Sequence, residues 1–112
     1  MQRLSVEGEG QVMIPKLARL KDPAAIKAAT KPYSELSGKR AYGGPHHVIT
    51  VGAGGPDHTY NLIQLTTEEH TKAHTGEIKR DLLFEIIAER EGVTVEQVKS
   101  VLLKIMRGVT EC

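Results

Sequence analysis

All five histidines of the chain fall between positions 46 and 74. His70 and His74 are four residues apart in a stretch that reads as helix, so both imidazoles project from one face, one turn apart. Two ring nitrogens at that spacing can reach a single metal ion. The zinc-protease pattern H-E-x-x-H is absent, because Thr71 stands where the glutamate base would be. The pair can therefore bind metal but brings no general base of its own. His46 and His47 are adjacent in a stretch that reads as strand, where neighbours face opposite ways. One can face a metal while the other faces a different part of the same site. Taken alone, either pair is more commonly a surface or capping feature than a ligand set.

Caps and glycines mark the elements that must position these residues. Pro15 can open a short turn of helix through Leu20, after a loose arm broken by Glu7-Gly8-Glu9-Gly10. Asp22-Pro23 is an N-cap followed by proline at the first helical position, which predicts a helix over 23–30 that Lys31-Pro32 ends. Gly43-Gly44-Pro45, Gly52 and Gly54-Gly55-Pro56 then punctuate two short stretches, Arg40–Tyr42 and His46–Val51. A hairpin or ribbon ending in a glycine-rich loop is expected there. Thr66 with Glu69 is a capping-box pattern, so a helix starts there and runs to about Thr75, with Gly76 as its stop. A longer helix is expected from Glu77 to about Glu91, with Ile78, Leu82, Leu83, Ile86 and Ile87 on its apolar face. Thr94 with Gln97 opens a last helix through Arg107, whose apolar face is Val95, Val98, Val101, Leu102 and Ile105.

The order of these features is more specific than any one of them. A His-His-Val-Ile strand, a Gly-Gly loop, Asn61-Leu62-Ile63-Gln64-Leu65 and a capped helix bearing His-x3-His form a ββα pattern. Over about residues 41–76 the chain resembles the HNH endonuclease family, and most closely its colicin-nuclease variety, in which three histidines hold one divalent metal. The fold so implied is α+β: a small ββα-metal core, an N-terminal helix, and a C-terminal two-helix hairpin that itself resembles a helix-turn-helix. The expected organisation is a basic arm with short helices over 1–40, the catalytic core over 41–76 and the helical hairpin over 77–112. Many HNH proteins also carry paired cysteines for a structural zinc. This chain has none there, so the small core must lean on its neighbouring helices.

The resemblance implies roles residue by residue. His47 takes the place of the general base, and His46, His70 and His74 those of the metal ligands. Asn61 takes the place of the residue that ties down the loop and orients the base. In other members of the family the asparagine contacts the metal and the second helix histidine does not, and the sequence leaves both arrangements open. A neutral histidine can accept a proton from water near neutral pH, provided its other nitrogen is held to fix the tautomer. A backbone carbonyl held by Asn61 is the expected partner. The implied cofactor is one divalent ion, magnesium or manganese by family resemblance, zinc or nickel by the softness of three imidazoles. The implied reaction is hydrolysis of DNA phosphodiester bonds, nicking one strand of a duplex at a time. The rival reading is a non-catalytic zinc- and DNA-binding module; a third is a ribonuclease of the same fold.

Duller roles fit the neighbours. Asp57 and His58 read as solvated or turn-forming, and Tyr42 and Tyr60 as packing residues. Lys39, Arg40 and Lys72 are candidate phosphate contacts, and Glu96, Gln97, Lys99, Ser100 and Lys104 would face outward from the last helix.

Bulk composition is that of an ordinary soluble protein. With 112 residues, 39% hydrophobic and 26% charged, the chain is of ordinary globular type, with an aliphatic core because aromatics make up only 4%. The single cysteine, Cys112, precludes an internal disulfide, and the absence of a long apolar run argues against a membrane partner; a cytoplasmic monomer or homodimer is expected. Net charge is +1, but residues 1–50 carry eight Lys/Arg against four Asp/Glu, and residues 51–112 carry seven against ten. The basic half could meet phosphate.

Overall fold

The computed structural model describes residues 19–108. The expectations for the N-terminal arm, the turn opened by Pro15 and Cys112 lie outside the described residues. Within them the fold is α+β, with four helices and one small antiparallel sheet. These are α1 (Pro23–Ala29), β1 (His46–His47), β2 (Leu62–Ile63), α2 (Thr67–Thr75), α3 (Arg80–Glu91) and α4 (Val95–Met106).

Local chemistry explains most boundaries. Asp22 accepts from the Ala24 and Ala25 N–H groups at the start of α1, as the Asp-Pro pair predicts. Both capping boxes form in full, Thr66 with Glu69 on α2 and Thr94 with Gln97 on α4. Gly76 and Gly92 end α2 and α3 in left-handed conformations, at φ 86° and 73°.

Three expectations change. First, α3 begins at Arg80 rather than Glu77. The Ile78 N–H donates back to the Lys72 carbonyl at 3.1 Å, so residues 77–79 are used in closing α2 and reversing the chain. Second, the strand expected over 46–51 spans only His46–His47. It pairs with β2, His46 opposite Ile63 and His47 opposite Leu62, while the 40–42 stretch turns back so that Arg40 bridges Tyr33. At Ile49 the side chain of Asn61 replaces a strand partner, and the regular ladder stops there. Third, α3 is rotated from its expected face: Leu83, Phe84, Ile87 and Ala88 are buried, and Leu82 is exposed.

A single core joins these parts. Val48, Ile63 and Leu65 from the sheet region pack with Leu83, Phe84, Ile87 and Ala88 of α3 and Val98 and Leu102 of α4. Burial of this apolar surface is the main stabilising term. The C-terminal hairpin thus packs against the small sheet and supplies much of its apolar support. Buried polar side chains pin the remainder. Gln64 accepts the Lys31 N–H at 3.1 Å, and Ser34 donates to Glu69 at 2.6 Å. Arg90 of α3 reaches the Glu35 carboxylate and the carbonyls of Leu62 and Thr59. Among the described residues no helix is long and apolar enough to cross a membrane.

Candidate metal centre and its histidine neighbour

His46, His70 and His74 converge, each offering one ring nitrogen within 4.8 Å of the others. The route from sequence to this geometry is short. β1 sets His46 facing α2, and the capping box fixes the helical phase that brings His70 and His74 beneath it. The His46 ring meets His70 edge-on at 4.5 Å between centroids and His74 at 5.4 Å. His70 and His74 stack at 4.8 Å, with their Nε2 atoms 3.0 Å apart.

The donor set fits a cation. His46 is buried, and its Nδ1 has no hydrogen-bond partner, an arrangement that costs free energy unless another group satisfies it. Three neutral imidazoles are the ligand type that zinc, nickel and related divalent ions take. Nitrogens around a tetrahedral ion at roughly 2.0–2.1 Å stand about 3.3 Å from one another, so the 3.0 Å pair needs little movement. Burial, then the neighbouring His70 and His74, lowers the His46 pKa to about 4. Burial and the charges of His74 and His47 also lower that of His70. Both shifts favour the unprotonated form of His46 and His70, the form that binds metal.

His47 is not one of the trio but lines the same cleft. That cleft, about 290 Å³, is bounded by His46, His47, Thr50, Val51, Gly52, His70 and His74. The outer nitrogen of His47, Nε2, lies 2.8 Å from Oδ1 of Asp57. This corrects two expectations. Asp57 is buried rather than solvated, and the partner of His47 is its carboxylate rather than a backbone carbonyl. Burial pushes the Asp57 carboxyl up, but hydrogen bonds from His47, the Asp22 N–H and Arg19 outweigh it and hold the pKa at about 2.

Asn61 is wholly buried and ties the loop between the strands. Its Nδ2 donates to the carbonyls of Ile49 at 3.0 Å and Pro56 at 3.1 Å, and its Oδ1 accepts the Ile49 N–H at 2.7 Å. An amide so engaged has little left for a metal, which favours His74 as the third ligand.

Other candidates sort by position. His58 caps a turn by accepting the Tyr60 N–H at 3.0 Å, consistent with a turn-forming role. Tyr60 packs against the core. Tyr42, expected to pack, is 71% exposed, with the Arg40 guanidinium 5.5 Å from its ring centre. Lys72 faces Glu68 at 3.9 Å. Glu96, Gln97, Lys99, Ser100 and Lys104 are exposed, as expected for an outward face. Sequence reasoning missed Asp57 as a site residue. Its signal was its place between the Gly54-Gly55 turn and Asn61, within reach of a strand histidine across a short loop.

Comparison with known proteins adds one relative. The chain is 41% identical over 58 residues to an uncharacterized 38.5 kDa protein encoded in psbA intron 1 of Chlamydomonas moewusii. The match covers 52% of this chain and 13% of that protein. No protein-family model matches the chain, and no solved structure matches it.

Proposed function

We propose that this chain is a metal-dependent endonuclease of the HNH kind, hydrolysing phosphodiester bonds of DNA. The observation that carries the reading is a fourth histidine, His47, lining the cleft of a three-histidine cluster without belonging to it. A structural zinc site closes its coordination with four protein ligands, whereas a catalytic one keeps a position open. Three histidines beside an open cleft favour the catalytic alternative over a zinc-holding binding module. The relative is encoded within an intron, and proteins so encoded are often homing endonucleases, which leans the same way.

In this reading His46, His70 and His74 hold one divalent ion, magnesium or manganese in function, with zinc or nickel suited to the same ligands. The ion supplies Lewis-acid stabilisation of charge on the phosphoryl group and the leaving 3′ oxygen. His47 accepts the proton of an attacking water, a role for which imidazole is suited near neutral pH. Asn61 keeps the loop that follows His47 and carries Asp57 in register. The products expected are a 5′ phosphate and a 3′ hydroxyl. A single site of this size cuts one strand at a time, so nicking of duplex is the expected activity, by a protein acting inside the cell.

A plasmid-nicking assay with a panel of divalent ions tests the reading. Nicked circles should form with at least one ion and vanish with chelator. His47→Ala should abolish nicking while metal affinity stays within a few-fold. Equal loss of both would make His47 a ligand, and no cleavage of DNA or RNA under any ion would leave a binding module.

A further inference from the structure

Asp57 is a buried carboxylate outside the three-histidine cluster, and its partners come from distant parts of the chain. Oδ1 faces His47 Nε2 at 2.8 Å and also accepts from the Arg19 guanidinium. Oδ2 accepts the Asp22 N–H at 3.0 Å. The Asp57 N–H donates to the Leu20 carbonyl at 2.9 Å, and Arg19 donates to the Gly55 carbonyl at 3.2 Å. Both carboxylate oxygens and the backbone are therefore anchored. Asp57 cannot turn to solvent without breaking several bonds at once, so it fixes the ring that leans on it.

The chemistry of the contact is directional. An ionised carboxylate can only accept, so His47 Nε2 must carry the hydrogen. Nδ1 is then the nitrogen with the free lone pair, and among the described residues it has no hydrogen-bond partner. We infer that Asp57 is a positioning residue that locks His47 in the Nε2–H tautomer, leaving Nδ1 to receive the proton of the attacking water. This inference rests on His47 being the base of the proposed nuclease. In the step it supports, a water O–H bond breaks and its proton moves to Nδ1, giving the imidazolium. The water oxygen bonds to phosphorus, and the bond from phosphorus to the 3′ oxygen breaks with its electron pair on that oxygen, which takes a proton from solvent. Asp57 remains ionised and stabilises the imidazolium until the ring returns its proton to solvent.

The N-terminal segment acquires a role by the same contacts. Arg19 and the backbone of Asp22 hold the carboxylate that holds the base, although they are 38 and 35 residues away in sequence.

Nitrogen-15 NMR of the imidazoles at about pH 8 tests the lock directly. His47, assigned by the signals lost in His47→Gln, should be Nε2-protonated with an unprotonated Nδ1. In Asp57→Asn the two tautomers should mix, and kcat for nicking should fall on the order of 100-fold with KM and metal affinity unchanged. Asp57→Glu should recover part of the loss. An Nδ1–H or mixed ring in the wild-type protein would overturn the inference, as would an Asp57→Asn variant with kcat within two-fold. Should Asp57→Asn not fold, the wild-type spectrum still decides. A locked ring in a protein that nicks nothing would uphold Asp57's hold on His47 and sink the nuclease reading, so the two failures are distinguishable.

Discussion

His70 and His74 hold their Nε2 atoms 3.0 Å apart on stacked rings inclined by 21°. With no metal, that contact works only if one ring donates and the other accepts, because two protonated imidazoles would put like charges together. With a metal, both nitrogens become lone-pair donors to one cation. The helix therefore presents a preformed two-nitrogen edge, and His46 on β1 closes it from the side.

If this edge is a ligand pair, His74→Ala should weaken divalent-metal affinity by roughly 10- to 100-fold or more, given that loss of mere supporting groups costs that much. Isothermal titration with zinc or manganese, or competition with a chromophoric chelator, reads it. Affinity within two-fold of wild type would remove His74 from the ligand set.

Much of this site could be read locally in the sequence. The phase of His70 and His74 follows from the Thr66–Glu69 capping box and the stop at Gly76, signals contained within eleven residues. The opposite facing of His46 and His47 follows from strand alternation alone. What could not be read depends on contacts between distant positions. Nothing near Asp57 announces that Arg19 and the Asp22 N–H will desolvate and hold it. Nor does the apolar pattern of α3 reveal that Phe84 turns inward and Leu82 outward, since both satisfy a helical stripe. Strand pairing failed for the same reason. The texture of 40–51 suggests a hairpin, yet β2 takes β1 as its partner, with Leu62 and Ile63 both fully buried, whereas only Ala41 of the 40–42 stretch is buried and Arg40 and Tyr42 are exposed.

The depressed pKa of His46 makes a pH prediction with a definite sign. Its folded value of about 4 lies below the ordinary 6.5, so between those values the unfolded chain binds a proton that the folded chain does not. Stability of the metal-free protein should fall as pH drops from about 6.5 towards 4, by up to about 3 kcal/mol if the whole shift is realised. Below about 4 this contribution flattens. Asp57 acts in a more acidic window: its folded value of about 2 lies below the ordinary 3.8, so its stabilisation is present above about 4 and lost as pH falls towards 2. Urea titrations from pH 7.5 to 3 should show the first decline, and His46→Phe should abolish much of it. A curve flat from pH 7 to 4.5 would contradict the burial of a neutral His46.

Gly55 supports the loop by closeness rather than by a special backbone angle. A Cβ there would sit 1.8 Å from the Ile49 carbonyl oxygen and 2.9 Å from that of Thr50. Gly55→Ala must therefore push apart the segments that flank His47 and Asp57. A loss of about 2–3 kcal/mol or more is expected, with nicking reduced further than stability explains. Gly52 has nothing within 4 Å of its Cβ position, so Gly52→Ala should change the unfolding midpoint little. Similar midpoints for the two variants would mean that the approach of Gly55 to Ile49 is relaxed in solution.

Asn61 separates the two ligand arrangements that the sequence leaves open. It is fully buried, and its amide satisfies the Ile49 N–H and the Ile49 and Pro56 carbonyls together. Truncation to alanine removes the partner of three buried or partly buried backbone groups, at up to about 1–3 kcal/mol each. Asn61→Ala should therefore lower stability by several kcal/mol and nicking sharply, even at a temperature where the variant remains folded. Metal affinity measured on that folded fraction is the decisive quantity. Because the loop lies on the His47 side and the three histidines sit on β1 and α2, affinity should stay within a few-fold of wild type. A loss exceeding that of His74→Ala would make the carboxamide a ligand and the second helix histidine an accessory.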